Sequence, residues 1–132
     1  MSKSRGNAIF ISATEDETAR LIKKAKTDSE RCITYNPESR PEVANLLMII
    51  SLCTGETPEK IAERIGNGGG GMLKNELTVA LNETLKPIRQ KRAELEKNMA
   101  YIQDVLNASV KKAREIAEKT LQEVRVAMNM AI

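Results

Sequence analysis

The chain has 132 residues, of which 41% are hydrophobic and 30% are charged, and its formal net charge is +3. These values are typical of an ordinary soluble chain with one domain, and so small a net charge does not by itself indicate a nucleic-acid partner. The longest apolar run, Leu46 to Ile50, is far shorter than the roughly 20 residues that a membrane-spanning helix needs. We therefore expect no membrane partner.

The first predicted helix begins after Thr14 and ends near Lys26. Thr14 with Glu17 has the spacing of a capping box, and Glu15 and Asp16 suit the positive end of a helix dipole. A polar loop over residues 27–39 is expected to follow this helix.

The second predicted helix extends from about Pro41 to Cys53, and a short third helix from about Thr57 to Ile65. Proline in the first turn and the helical spacing of the apolar residues favour a helix over a strand. The second helix is apolar nearly all round, which predicts the most buried element of the fold. Its spacing is carried by Val43, Leu46, Leu47 and Ile50.

Five glycines lie within residues 66–71. This run lacks the preceding strand and the placed lysine of a phosphate-binding loop, so we expect a flexible connector. A long helix from about Met72 to Glu96 follows, and Pro87 is expected to kink it. Helices over residues 99–107 and 109–130 complete an all-α helical bundle of about five to six helices. The last helix is expected to point an apolar stripe inward: Val110, Ala113, Ala117, Leu121, Val124 and Met128.

Several short segments occur in an order that is typical of one enzyme family. They are Met1-Ser2-Lys3-Ser4, Lys26-Thr27-Asp28-Ser29-Glu30, Ile33-Thr34-Tyr35-Asn36-Pro37-Glu38, Arg40-Pro41-Glu42-Val43-Ala44-Asn45-Leu46-Leu47, Glu83-Thr84-Leu85-Lys86-Pro87-Ile88-Arg89 and Ala127-Met128. Together they resemble the C-terminal part of bacterial-type tryptophanyl-tRNA synthetases. The first segment is similar to the end of the Lys-Met-Ser-Lys-Ser signature of class I synthetases.

The resemblance implies that Ser2, Lys3 and Ser4 belong to the mobile loop that serves ATP in the intact enzyme, where cations stabilise charge on the phosphates. It divides the chain into a remnant of that loop with a linker, residues 1–13, and a helical anticodon-binding domain, residues 14–132. A disordered start over residues 1–12 is the alternative for this segment. The chain contains no histidine, so it lacks the His-Ile-Gly-His signature of the class, and we expect no catalytic residue and no ligase activity in this chain alone.

The two cysteines, Cys32 and Cys53, have no metal-type spacing and no histidine to complete a zinc site. We therefore expect no metal site. Two free thiols, buried or half-buried, in a reducing cytoplasm are the simplest interpretation.

Residues 86–92 contain four cations and no acid. Lys86, Arg89, Lys91 and Arg92 are therefore predicted as contacts to tRNA phosphates, with a plain solvent-facing surface as the alternative. The cations of the last helix have acids four residues away, as in Lys111 with Glu115, and are expected to be paired locally.

The resemblance to tryptophanyl-tRNA synthetases implies a helical domain that binds the anticodon region of tRNA(Trp). In the intact enzyme of this family, ATP and tryptophan bind a nucleotide domain that this sequence does not contain. The family's enzyme is a homodimer, and we expect this chain to be monomeric or weakly associated. The alternative is a stand-alone helical interaction or regulatory module derived from a synthetase.

Overall fold

The computed structural model describes Gly6 and residues 8–130 of the chain. Within these residues every regular element is helical, so the predicted all-α class is confirmed. The elements in chain order are α1 (Glu15–Lys24), α2 (Pro41–Thr54), α3 (Pro58–Ile65), a 3-10 turn (Gly66–Gly68), α4 (Gly69–Glu96) and α5 (Met99–Ala127).

The chain divides into two compact units, with the boundary between Gln90 and Lys91. The first unit is built by α1 to α4, so the bundle has four helices rather than the predicted five to six. The two helices expected over residues 99–107 and 109–130 are one continuous helix, α5. Neither glycine nor proline interrupts it, and the Ser109 hydroxyl donates to the Val105 carbonyl at 2.8 Å inside the helix.

The first helix begins where its capping box predicts. The Glu17 amide donates to Thr14 Oγ1 at 3.2 Å, and the Thr14 amide donates to Glu17 Oε2 at 2.9 Å. Both amides would otherwise lack a partner at a helix start. α1 ends at Lys24, slightly earlier than expected, and the Ala25 amide donates to the Ile22 carbonyl at 3.0 Å.

The core of the first unit is centred on α2, as predicted. Leu47 and Ile50 are completely buried, and Val43 is 1% exposed. The residues packed around them come from α1, α3, α4 and the loop before α2: Ile22, Ile33, Ile61, Ala62, Ile65, Leu73 and Leu77. The burial is not all round, because Leu52 on the outer face is 79% exposed.

The glycine run is part of the folded structure, so the predicted flexible connector is wrong. The Ile33 amide donates to the Gly66 carbonyl at 2.7 Å, and the Gly69 amide donates to the Arg31 carbonyl at 2.9 Å. Gly69 has a φ of 72°, a conformation that glycine adopts without the strain of a side chain. The backbone partners of this run lie in the loop before α2, which local composition does not reveal.

The second unit consists of the end of α4 and the helix α5. No residue of α5 is buried, so the predicted inward stripe is wrong within the described residues. Val110 is 55% exposed and Leu121 is 48% exposed. The helical period identified an apolar face, but a period alone does not supply a surface to cover it. None of the described helices is both long enough and apolar enough to cross a membrane.

Candidate functional site

The predicted ATP-loop residues Ser2, Lys3 and Ser4 lie outside the described residues, and their role stays a prediction. The described chain that follows them is attached to the first unit. Ile9 packs against the core, and the Ala13 amide donates to the Phe10 carbonyl at 2.9 Å. The segment between the loop and α1 is therefore held on the helical unit by apolar contact and by a turn.

Arg89 makes its hydrogen bonds inside the first unit. Its Nη2 donates to Thr18 Oγ1 at 2.9 Å, and its Nη1 donates to Asn82 Oδ1 at 3.0 Å. Thr18 is completely buried, and its hydroxyl donates in turn to the Thr14 carbonyl at 2.8 Å. Arg89 Nε is buried and has no hydrogen-bond partner among the described residues. The guanidinium thus joins α4 to α1, and two of its three nitrogens are occupied there.

The other three predicted tRNA contacts are exposed side chains with acidic neighbours. Lys86 lies 4.0 Å from Glu83 in the first unit. In the second unit, Lys91 pairs with Glu94 at 2.8 Å, and Arg92 pairs with Glu96 at 2.7 Å.

The hydrogen bond that Lys91 donates to the Glu94 carboxylate raises the pKa of Lys91. Sequence reasoning treated residues 86–92 as uncompensated, and that is wrong, because the acids that pair with them lie just outside the segment. It remains a prediction that tRNA is contacted by Lys86, Arg89, Lys91 and Arg92.

A second group of cations was missed by sequence reasoning. Residues 18–26 contain four cations and no acid, the same signal that singled out residues 86–92. Only Lys26 among them forms an ion pair in the described structure, with Glu42 at 3.1 Å. Arg20, Lys23 and Lys24 are exposed on α1.

Arg40 is the centre of a polar cluster that sequence reasoning did not identify. The side chain is only 8% exposed. Its Nε and Nη2 both bind the Asp28 carboxylate at 2.7 Å, a fork-to-fork pair. Its Nη1 donates to the Cys32 carbonyl at 2.7 Å and to Thr34 Oγ1 at 2.9 Å. We refer to Arg40, Asp28, Cys32 and Thr34 as the Arg40 cluster.

The charges in the Arg40 cluster reinforce each other. The hydrogen bond from the Arg40 guanidinium lowers the pKa of the Asp28 carboxyl, and the same bond raises the pKa of Arg40. Glu30 adds a carboxylate oxygen 3.4 Å from Arg40 Nη1. This arrangement fixes a loop and offers no group for acid–base chemistry, because both partners stay ionised near neutral pH.

A groove of about 510 Å³ lies beside α1 and α2. Its lining is mostly apolar: Ile9, Leu21, Ile22, Leu46, Ile49 and Leu77. Glu42 lies at the rim of the groove. A hydrogen bond from its own backbone amide lowers the pKa of its carboxyl, and the ion pair with Lys26 lowers this pKa further.

No group of three or more His, Cys, Asp or Glu side chains that could hold a metal occurs among the described residues.

The two thiols are free, with Cys32 exposed and Cys53 half-buried. The prediction of free thiols is confirmed, whereas the expected burial is wrong for Cys32. Its carbonyl, rather than its sulfur, is the group that Arg40 binds.

Comparison with known families shows which family the chain belongs to. The profile of the family described as tRNA synthetases class I (W and Y) matches residues 1–86. The chain belongs to this family.

Three proteins to which the chain is similar are tryptophan–tRNA ligases. The Aquifex aeolicus enzyme is 42% identical over 98% of the chain, the Wolinella succinogenes enzyme 38% over 95%, and a Helicobacter pylori enzyme 39% over 98%. The resemblance to tryptophanyl-tRNA synthetases is thereby confirmed. The chain spans only 34%, 39% and 40% of the lengths of these three relatives.

The Arg40 cluster connects two of the segments on which the resemblance to these synthetases was based. Asp28 lies in the segment of residues 26–30, and Arg40 begins the segment of residues 40–47. Their bidentate ion pair brings the two segments together at the start of α2. One side-chain contact thus links the two segments.

Proposed function

We propose that this chain acts as the helical C-terminal part of a tryptophan–tRNA ligase and binds the anticodon region of tRNA(Trp). The observation that carries the proposal is the alignment of three tryptophan–tRNA ligases with 95–98% of the chain. An all-helical unit with a well-packed core suits a rigid surface for RNA.

Within the same proposal, Ser2, Lys3 and Ser4 contact the ATP phosphates in the intact enzyme. Tryptophan and the rest of ATP then bind a nucleotide domain, and the intact enzyme is a homodimer in the cytoplasm. A mobile loop of this kind supplies positioned cations and no covalent chemistry.

The purified chain is expected not to activate tryptophan, because it lacks the histidine signature of its class. The measurement is tryptophan-dependent exchange of pyrophosphate into ATP. Exchange above a no-enzyme control would contradict the expectation and would place an ATP site within these 132 residues.

The anticodon proposal is tested by the affinity of the chain for tRNA(Trp) and for the same tRNA with its anticodon bases replaced. Replacement is expected to weaken binding by about 1–3 kcal/mol for each base contact that is lost. A tRNA(Trp) altered in the variable loop is the matched control and should bind unchanged. Equal affinity for all three RNAs would refute anticodon recognition.

The contacts proposed from the sequence are examined in the same assay. Lys86, Lys91 and Arg92 have exposed side chains, and surface ion pairs of this kind are weak enough to exchange for a phosphate. Replacing each by glutamine is expected to change the log–log salt slope by about 0.7–0.9 per phosphate contact. Arg89 also belongs to the proposed set, although its internal hydrogen bonds leave it fewer free donors.

A second candidate function is a helical interaction module derived from a synthetase. The observation that favours it is the uncovered apolar face of α5, with Val110 and Leu121 55% and 48% exposed. Exposed apolar patches often mark protein-binding surfaces. Absence of any preference for tRNA(Trp), together with a tight protein complex that Leu121→Glu abolishes, would favour this function over RNA binding.

A further inference from the structure

The charged side chains of α1 are separated along the helix. Glu15, Asp16 and Glu17 fill the first turn, whereas Lys23 and Lys24 fill the last turn. Arg20 lies three and four residues before these two lysines, a spacing that places all three on one face of the helix. All three side chains are exposed.

A fourth cation reaches the same end of α1 from another helix. Lys74 on α4 donates from Nζ to the Lys23 carbonyl at 3.3 Å. This bond satisfies a carbonyl at the C-terminal end of α1, where the helix itself provides no donor. An ammonium has three donors, so Lys74 keeps hydrogen-bonding capacity for a ligand. We refer to Arg20, Lys23, Lys24 and Lys74 as the α1 basic cluster.

The α1 basic cluster has no acidic partner among the described residues. None of its members takes part in the ion pairs of the described structure. The nearby carboxylate of Glu17 is bound to the Thr14 amide. By contrast, the cations of residues 86–92 that are exposed each have a glutamate within 4.0 Å.

The helix dipole explains only part of this cluster. Cations in the last turn stabilise a helix, which accounts for Lys23 and Lys24. Arg20 lies before the last turn, and Lys74 belongs to a different helix. Four uncompensated cations close together create a positive potential that attracts polyanions.

We infer that the α1 basic cluster binds phosphate groups of an RNA backbone. This inference rests on the proposed function. The ligand is tRNA, and the cluster contacts its phosphate backbone rather than its anticodon bases. Lysine ammonium groups act as point charges toward phosphate, and contacts to phosphate carry no direct sequence information. With 2% aromatic residues, the chain has few rings on which bases could stack, which also favours backbone contact over base contact.

The test compares variants that remove the same charge from different surfaces. The cluster variant carries Arg20→Gln, Lys23→Gln and Lys24→Gln, and its matched control carries Lys111→Gln, Lys112→Gln and Arg114→Gln on α5. Each removes three cations, so each lowers the formal net charge from +3 to 0. Binding to tRNA(Trp) and to a plain RNA duplex is measured at several salt concentrations.

The cluster variant is expected to lose about 2–3 units of log–log salt slope on both RNAs, and each single substitution about 0.7–0.9. The α5 control should keep most of the wild-type slope. Helical circular dichroism is compared for every variant, and the single exposed substitutions keep the test valid if the triple variant is unfolded.

Three results would overturn the inference. They are an equal loss of slope in the cluster variant and the α5 control, an unchanged slope in the cluster variant, and no binding of the wild-type chain to either RNA. A cluster-dependent slope without preference for tRNA(Trp) would support the phosphate site while refuting the proposed function.

Discussion

A single guanidinium holds the loop before α2 in place. Within residues 27–39 only Ile33 is buried, so apolar packing alone is a weak constraint on this segment. Arg40 supplies the missing constraint through bonds to Asp28, Cys32 and Thr34. Removal of the guanidinium would therefore release the loop at Asp28, Cys32 and Thr34 together.

The Arg40–Asp28 pair predicts a specific acid sensitivity. Folding lowers the pKa of Asp28 below its ordinary value of 3.8. A carboxyl of this kind stabilises the fold above its ordinary pKa and loses that contribution as the pH falls through the lowered value. The unfolding temperature of the wild type should therefore fall more steeply below about pH 4 than that of Asp28→Asn.

The control for this pH series is Asp104→Asn, which removes a carboxylate from the exposed helix α5. Its unfolding temperature should follow the wild type across the same pH range. Parallel curves for the wild type and Asp28→Asn would show that the ion pair contributes nothing to acid stability.

Arg89 and Thr18 are predicted to stabilise the first unit as a coupled pair. Thr18→Val keeps the shape of the side chain but removes the hydroxyl that Arg89 Nη2 binds at 2.9 Å. We expect Thr18→Val and Arg89→Ala each to lower the free energy of unfolding by about 1–3 kcal/mol. The double variant should lose less than the sum, because both changes break the same bond. Lys86→Ala is the control and should change stability by less than about 0.5 kcal/mol, while additive losses would refute the coupling.

At the scale of the helix, α2 offers an internal comparison between two leucines. Leu47 is completely buried and Leu52 is 79% exposed. Leu47→Ala should lower the free energy of unfolding by about 2–5 kcal/mol, because it removes transfer energy and leaves a cavity. Leu52→Ala should change it by less than about 0.5 kcal/mol. Urea unfolding measures both, and similar losses would mean that the core is centred elsewhere.

The helices show which features a sequence can predict. The start of α1 follows from two residues in a capping box, and α2 follows from its apolar period, because both signals are local. The glycine run was misjudged because its partners, the Ile33 amide and the Arg31 carbonyl, belong to another segment. The exposed face of α5 was misjudged for a related reason, since a period identifies an apolar stripe without naming what packs on it.

The candidate site shows the same limit at the scale of single charges. The sequence identified residues 86–92 from a run of cations, but the acids that pair with them lie at Glu83, Glu94 and Glu96. The same count of cations and acids, applied to residues 18–26, identifies every member of the α1 basic cluster except Lys74. Lys74 joins it only through tertiary structure.

For the whole molecule, the two compact units are expected to differ in local stability. The core of the first unit contains completely buried residues such as Leu47 and Ile61, whereas no residue of α5 is buried. Helices with few buried contacts open locally without global unfolding. Amide hydrogen exchange should therefore be slowest in α2 and more than about tenfold faster through α5, a difference of at least about 1.4 kcal/mol in opening free energy.

The same exchange experiment tests the glycine run. The amides of Ile33 and Gly69 donate to backbone carbonyls, so both should exchange slowly, close to the rate of the core. Thr14 and Glu17 amides, bonded at the exposed start of α1, provide a comparison with less burial and should exchange faster. Rapid exchange at Gly69 would show that the glycine run is a flexible connector after all.

The α5 amides have their own contradicting outcome. Protection of α5 equal to that of α2 would mean that the apolar face of α5 is covered in solution. In that case the concentration dependence of α5 protection would reveal whether a second copy of the chain covers it, because protection by self-association increases with protein concentration.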